Sequence, residues 1–174
     1  TSPMDTNQFT SQLVQFTGVA QQINTNASLT QLIQLTQSGQ VMQSSSLVGK
    51  QVEVASDHLT LQNGSGDVCY TTSSAQPVEI IVSNDAKAKV SDVVMKAGKG
   101  VNDWKWDGTD SRGKTVPDGA YKVAVLGANT DGSTVALPFT VVGTATSVQK
   151  SGNTLRLQLG ALGVDFSKVQ SVDG

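Results

Sequence analysis

The sequence is poor in the residues that carry most protein chemistry. Its 174 residues include one cysteine, Cys69, and one histidine, His58. An intrachain disulfide is therefore impossible, and there is no CxxC motif or cluster of His and Cys to suggest zinc. We expect Cys69 to be a small buried side chain within a strand. No candidate nucleophile lies near His58 in the sequence, so we expect no catalytic role for it. We expect its side chain on the polar, solvent-facing side of a strand.

Charge and long apolar runs are scarce as well. Charged residues make up 15% of the chain and aromatic residues 5%, with a net charge of −2. No basic stripe indicates nucleic acid as a partner. No apolar run reaches the roughly 18 residues that span a membrane, and no signal-peptide pattern is present. Because the sequence begins with Thr1 rather than Met, we expect it to be part of a longer protein, with any export signal outside it.

Residues 1–46 are predicted to form a helical assembly segment. Asp5 is the only charged residue among them and, with Gln8, resembles a helix-capping pair. Apolar residues then recur at steps of four and three, which places them on one helix face. This stripe comprises Phe9, Leu13, Phe16, Ala20, Ile23 and Ala27. After Ala27 the stripe drifts, so the apolar face rotates or the helix breaks. Gly39 and the serine run at 44–46 are expected to end it.

An uncharged helix with a narrow apolar stripe has little to stabilise it in isolation. We weigh two interpretations, a helix that packs on a partner or sister subunit and a helix that lies on its own domain. The low charge favours association. The predicted oligomer or partner interface consists of Phe9, Leu13, Phe16, Ala20 and Ile23.

The rest of the chain has the pattern of short β-strands. Alternating apolar residues on either side of the Asn63-Gly64 turn predict a three-stranded meander within 47–76. Such a meander is too small to bury a core alone. Further alternation and turns within 77–142 indicate an immunoglobulin-like β-sandwich. Strands within 143–174 would complete the first β segment, so the sandwich is predicted to be inserted into a small split barrel.

Acidic residues crowd the turns of the predicted sandwich, namely Asp103, Asp107, Asp110 and Asp118. They suggest either a calcium site or turns capped by aspartate, and the sequence lacks the EF-hand pattern. The only glutamates, Glu53 and Glu79, lie on the polar phase of their strands. We therefore predict no catalytic residue, no metal and no cofactor. Trp104 and Trp106 could line a sugar-binding surface, but at least one is expected in the core.

Two motifs carry a resemblance to a known family. The opening P-M-D-T-N-Q-F-T-S-Q-L-V-Q-F, residues 3–16, resembles the start of flagellar hook-capping proteins. The turn-rich stretch from Trp106 to Tyr121 resembles the immunoglobulin-like module of the same family. The residues that carry this second motif are Trp106, Asp107, Gly108, Asp110, Gly113, Asp118, Gly119 and Tyr121.

The resemblance implies a mainly β fold with an N-terminal helix. It implies a tudor-like barrel formed by 47–76 and 143–174, with an immunoglobulin or fibronectin III-like domain inserted at 77–142. It also implies a non-enzymatic scaffold that leaves the cytoplasm through the flagellar export apparatus. The scaffold would oligomerise as a cap at the distal tip of the growing hook and promote polymerisation of hook protein subunits. The alternative from the residues alone is a secreted carbohydrate-binding or adhesive module.

Overall fold

The structure is a computed structural model that describes residues 6–129, 131–152 and 154–173. It divides into two compact units, Thr1–Gln43 and Ser44–Gly174. The first unit is helical and the second is built of β-strands, so the predicted mainly β fold with an N-terminal helix is confirmed.

A long helix, α1, spans Thr6–Ser45. The break considered after Ala27 does not occur, and Gly39 does not end the helix. A glycine costs a helix only about 1 kcal/mol relative to alanine, so one glycine does not terminate it. The helix does end within the serine run, as predicted. The capping role predicted for Asp5 falls outside the described residues.

Hydroxyl side chains along α1 satisfy their hydrogen bonds within the helix. Thr17 donates to the carbonyl oxygen of Leu13 at 2.8 Å, and Thr25 donates to that of Gln21 at 2.9 Å. Thr30 does the same with Asn26 at 2.9 Å. Because these hydroxyl groups are already hydrogen-bonded within the helix, fewer polar groups on its surface need water as a partner than the composition indicates.

The strands of the second unit are short and follow one another closely. They are β1 (Gln51–Val54), β2 (His58–Leu61), β3 (Gly66–Thr72), β4 (Gln76–Ser83), β5 (Lys89–Ala97), β6 (Gly100–Trp106), β7 (Gly119–Ala128), β8 (Thr134–Ala136), β9 (Phe139–Thr144), β10 (Ser147–Ser151), β11 (Thr154–Leu159), β12 (Leu162–Asp165) and β13 (Val169–Asp173). A 3₁₀ turn, Phe166–Lys168, separates β12 from β13.

These strands form three antiparallel sheets. The first has the order β13-β1-β9-β3-β6, the second β2-β7-β4-β5 with β8 beside β7, and the third β10-β11-β12. In the first sheet, β1 lies between β13 and β9. The beginning and the end of the second unit therefore share a sheet. The predicted boundaries between the split barrel and the inserted domain, at 76/77 and 142/143, stay predictions. β3, which precedes the first boundary, pairs with β6 and β9, which follow it.

The predicted meander of β1, β2 and β3 is wrong. The turn itself is as predicted, because Asn63 and Gly64 have φ values of 53° and 72° and Gln62 and Ser65 exchange both backbone hydrogen bonds. The two strands then separate, β2 pairing with β7 and β3 pairing with β9 and β6. The reason is that Leu59, Thr60 and Leu61 are all buried. A strand covered on both faces needs more packing partners than a three-stranded meander provides.

The core of the second unit is built mainly from valine and leucine. Its largest fully buried side chains are Leu59, Leu61, Ile80, Leu157, Leu159, Val52, Val54, Val68, Val78, Val82, Val125 and Val141. Trp104 and Trp106 are also buried, which confirms the prediction that at least one of them belongs to the core. Neither indole face is available as a platform for a sugar ring.

Candidate functional site

The apolar stripe of α1 is the first candidate surface. Phe9 is 56% exposed, Phe16 72% and Ile23 62%. Leu13 and Ala20 are exposed as well, so all five predicted interface residues share one uncovered helix face. No Asp, Glu, Lys, Arg or His occurs between Thr6 and Ser45. The face is therefore both apolar and uncharged, a combination typical of protein interfaces rather than of solvated helix surfaces.

A second group of exposed apolar residues lies further along α1. Leu29, Leu32, Ile33 and Leu35 are 52%, 59%, 55% and 71% exposed. The sequence showed the drift of the stripe after Ala27, but these residues were not assigned to an interface because the drift also fitted a broken helix. Since α1 is continuous, they belong to the same rod as the first stripe.

The second motif builds a local structure around Trp106. This indole ring meets the phenol ring of Tyr121 edge to face, with centroids 5.1 Å apart. The Trp106 Nε1 donates to the carbonyl oxygen of Thr109 at 2.9 Å, and the Tyr121 hydroxyl donates to that of Pro117 at 2.6 Å. The two aromatic residues therefore hold the two turns that flank β7 and β6 against the core.

Asp118 and Gly108 connect these turns to the distant turn between β2 and β3. The carboxylate of Asp118 accepts hydrogen bonds from the backbone amides of Asn63 at 2.6 Å and Gly64 at 2.9 Å. At Gly108, where φ is 67°, an added Cβ would lie 3.1 Å from Leu61 Cδ2. A side chain at this position would require Leu61 to shift. The motif thus holds the turn between β2 and β3 in place.

Asp107 and Asp110 stabilise their own loops. Asp107 Oδ1 accepts from the Thr109 amide at 3.1 Å and hydroxyl at 2.6 Å. Asp110 Oδ1 accepts from the amides of Arg112 and Lys114, each at 2.9 Å. These hydrogen bonds hold the pKa of each carboxyl below its usual value. Such bonds are those of Asx turns, the second of the two interpretations weighed above.

The remaining glycines of the motif, Gly113 and Gly119, lie in or next to the same loops. Gly113 has a φ of 76° and donates its amide to the carbonyl of Asp110 at 2.9 Å. Gly119 begins β7 and pairs with Leu61 of β2. Among the residues that the structure describes, no group of three or more His, Cys, Asp and Glu is placed to hold a metal ion.

Side-chain hydrogen bonds that the sequence did not indicate join β2 and the residue after it to β9 and β11. The Gln62 amide group donates to the Thr144 carbonyl at 2.9 Å and accepts from the Thr144 amide at 2.8 Å. The buried Thr60 hydroxyl donates to the carbonyl of Leu159 at 2.6 Å. Gly143 permits this contact, since an added Cβ would lie 2.8 Å from Leu159 Cδ2. The third sheet is thereby bonded to the strands around it.

The structure describes the surroundings of the only histidine and the only cysteine of the sequence, His58 and Cys69. His58 Nδ1 lies 2.6 Å from Asp57 Oδ1, and this hydrogen bond holds the pKa of Asp57 below its usual value. Cys69 is half-buried and not fully buried as expected, and burial raises the pKa of its thiol. Within the described ranges, no helix is both long and apolar enough to cross a membrane.

Two family models match the chain. The model described as the FlgD Tudor-like domain matches residues 39–170, and the one described as the N-terminal region of the flagellar hook capping protein matches residues 1–31. The first match covers most of the β-strands described above. It confirms the tudor-like character that the resemblance implied.

Curated relatives and solved structures agree with these matches. The basal-body rod modification protein FlgD of Escherichia coli strain K12 is 30% identical over 168 residues, which cover 90% of this chain and 73% of that protein. The protein of the same name from Salmonella typhimurium is 26% identical over 175 residues, covering 94% and 74%.

Two crystal structures share the fold. FlgD from Xanthomonas campestris, described by its authors as giving insights into hook capping essential for flagellar assembly, has a TM-score of 0.67 and 26% identity. The alignment covers 77% of this chain and 99% of that one. FlgD from P. aeruginosa has a TM-score of 0.61 and 29% identity, with 74% and 99% covered.

Proposed function

The chain belongs to the flagellar hook-capping family, and on that premise we propose that it is a scaffold for assembly of the flagellar hook. The observation that carries this proposal is the exposed, uncharged stripe of α1. Phe9, Phe16 and Ile23 are each more than half exposed on a helix without charged residues. Helices of this kind gain most of their stability from packing, so the stripe needs a polypeptide to cover it.

In this proposal the chain oligomerises as a cap at the distal tip of the growing hook. It leaves the cytoplasm through the flagellar export apparatus and meets hook protein subunits as they arrive. The stripe formed by Phe9, Leu13, Phe16, Ala20 and Ile23 makes the contact with sister copies or hook subunits. The segment 1–46 is the assembly element, while the tudor-like barrel (47–76 and 143–174) and the inserted domain (77–142) form a plate.

The mechanism requires no bond chemistry. A cap that confines incoming subunits near their lattice site raises their effective concentration and shields their unfolded surfaces. The hydrogen bonds of Asp118, Gln62 and Thr60 tie separate β segments together, which suits a plate that keeps its shape. The buried positions of Trp104 and Trp106 weigh against the carbohydrate-binding alternative, because sugar rings stack on exposed aromatic faces.

Gene replacement tests this function. The chromosomal gene is exchanged for the wild-type gene, for Phe16→Asp or for Gln22→Asp, and hook length is measured by electron microscopy of isolated basal bodies. Gln22 lies in the same helix half, about 120° around the helix from Phe16 and outside the stripe, so it is a matched control for the new charge. We expect hooks with wild type and Gln22→Asp and none with Phe16→Asp. Normal hooks with Phe16→Asp, or in a strain that lacks the gene, would overturn the proposal.

A further inference from the structure

Strand β5 lies at an edge of the second sheet, in the β unit (Ser44–Gly174). It pairs with β4 on one side, and within the described part of the chain no strand pairs with its other side. Near the start of β5, the carbonyl oxygen of Val90 accepts hydrogen bonds from the amide of Ser111 at 2.9 Å and from its hydroxyl at 3.0 Å. The loop that contains Ser111 therefore closes the edge at Val90, and the open part of the edge begins after it.

The hydrogen bonds of β7 establish how the backbone of β5 is oriented. The carbonyl oxygen of Val125 in β7 accepts from the amide of Leu137 at 2.8 Å, so it points away from β4. Val125 lies opposite Ile80 of β4, and this pair therefore exchanges no backbone hydrogen bonds. Because the direction of the backbone groups alternates along a strand, those of Ile80 point to its other neighbour, Val93 of β5. The backbone groups of Val93 thus point toward β4.

The residues next to Val93 have the opposite orientation. The amide and carbonyl groups of Asp92, Val94 and Lys96 point away from β4, toward the uncovered side of the edge. Pro77 of β4 lies opposite Lys96 and has no N–H to donate, which fits a pair without hydrogen bonds. Backbone groups in this arrangement are those through which an edge strand accepts another strand.

The side chains of these three residues form a charge pattern that is its own complement. Asp92, Val94 and Lys96 are all exposed, Val94 at 68%. If two β5 strands pair antiparallel with Val94 opposite Val94, Asp92 of each strand lies opposite Lys96 of the other. Opposite charges and apolar pairs at such positions stabilise antiparallel strands. Lys89 Nζ also lies 2.5 Å from Asp92 Oδ2, and a carboxylate accepts from more than one donor.

The pattern selects one register. Shifting the partner strand by four residues would place Asp92 opposite Asp92 or Lys96 opposite Lys96, and like charges in opposed positions are destabilising. Shifting it by two residues would leave the charges opposite uncharged residues. In the centred register the half-buried Val93 of one copy also lies opposite the half-buried Met95 of the other. The edge therefore matches a second copy of β5 on both faces of the sheet.

We propose that two copies of this chain pair through β5, antiparallel and centred on Val94, so that the second sheet continues from one β unit into the other. The same strand contributes from both copies, so the contact is isologous and joins copies in twos. It involves no residue of α1 and is independent of the proposed function.

Crosslinking through a cysteine at position 94 tests the pairing. Full chains carry Cys69→Ser, which removes the native thiol, together with Val94→Cys or Val101→Cys. Val101 is a matched control, because it lies on β6 and is 70% exposed, against 68% for Val94. A bifunctional methanethiosulfonate reagent with a spacer of about 5 Å spans one strand spacing. The crosslinked dimer is measured by gel electrophoresis without reductant.

Charge reversal tests the register. Asp92→Lys and Lys96→Asp are each added to the Val94→Cys chain, and each places like charges opposite one another at both ends of the pairing. The yield of dimer from either variant alone should fall about tenfold. An equimolar mixture of the two variants has opposite charges at both ends again, and so does the double variant. Both should regain the dimer.

The mixture also separates a lost contact from a lost fold, because the same two chains that fail alone form the dimer together. Near-ultraviolet circular dichroism of the buried Trp104 and Trp106 checks the fold of each variant. We expect about ten times more dimer from Val94→Cys than from Val101→Cys.

Three results would overturn the proposal. Equal yields from positions 94 and 101 would show that the crosslinks come from chance encounters or from contacts elsewhere in the chain. Crosslinking at position 94 that survives either single charge reversal would exclude the centred register. Failure of the mixture to regain the dimer would exclude it as well. The hook lengths with Phe16→Asp bear on the stripe of α1 alone, so the two proposals fail separately.

Discussion

The ring of Tyr121 stands at 81° to that of Trp106, and its hydroxyl donates to the carbonyl oxygen of Pro117 at 2.6 Å. The residue thus has two separable contributions, a ring contact and a hydrogen bond. We expect Tyr121→Phe, which keeps the ring, to destabilise the β unit by about 1 kcal/mol. Tyr121→Ala removes both contributions and is expected to cost about 3–5 kcal/mol. Urea unfolding followed by tryptophan fluorescence measures both values, and equal costs would contradict this division.

Asp118 is expected to stabilise the fold by holding the distant turn at Asn63 and Gly64. Its carboxylate bonds the amides of Asn63 and Gly64, which lie 55 and 54 residues away along the chain. Asp118→Ala leaves both amides without this acceptor and should cost about 1–3 kcal/mol in the free energy of unfolding.

Asp131→Ala is the control for Asp118→Ala. Asp131 also accepts two hydrogen bonds, but both come from Ser133 in its own loop, at 2.9 Å and 2.6 Å. Local bonds of this kind persist in part in the unfolded chain, so the control should lose less stability. A loss of stability for Asp131→Ala as large as that for Asp118→Ala would contradict the role given to Asp118.

Gly143 is expected to tolerate no side chain. An added Cβ would overlap the methyl group of Thr60 and approach Leu159 Cδ2. Gly143→Ala should therefore destabilise the β unit by about 1–3 kcal/mol. Gly98→Ala is the control, since its Cβ would meet only Asn102 Oδ1 at 3.7 Å. Thermal unfolding compares the two, and an unchanged midpoint for Gly143→Ala would show that β2 and β9 are not closely packed.

The Cys69 thiol is expected to react slowly at mildly alkaline pH. Burial is the main cause that raises its pKa, and the neighbouring carboxylates of Asp103 and Glu53 raise it further. Since only the thiolate reacts with iodoacetamide, the alkylation rate should rise at a higher pH than it does for cysteine in the unfolded chain. Asp103→Asn should shift this pH profile downward. A native profile at or below that of the unfolded chain would contradict the prediction.

The sequence predicted those features that depend on local pattern. The steps of four and three from Phe9 to Ala27 place residues on one face of any helix, and the Asn63-Gly64 pair favours a tight turn wherever it occurs. The helix and this turn were therefore predictable. Continuity through Gly39 was not, because a glycine weakens a helix without ending it.

Features that depend on distant residues were not predictable. Thr60 looks like the polar phase of an alternating strand, yet it is buried because Leu159, 99 residues later, accepts its hydroxyl. β2 also pairs with β7, far along the chain, and not with β3, which is why the predicted meander was wrong. On α1, Leu29 and Leu32 were assigned to no surface. Their position around the helix axis relative to the stripe can be determined only once the helix is known to be continuous.

The central claim is that the apolar stripe of α1, which contains Phe16, contacts another polypeptide during hook growth. A photoreactive benzophenone amino acid at position 16, with position 22 as control, tests this in cells that are assembling flagella. Illumination followed by mass spectrometry should give an adduct from position 16 to another copy of the chain or to a hook subunit, and none from position 22. Adducts confined to the β unit of the same chain, or equal adducts from both positions, would contradict the account.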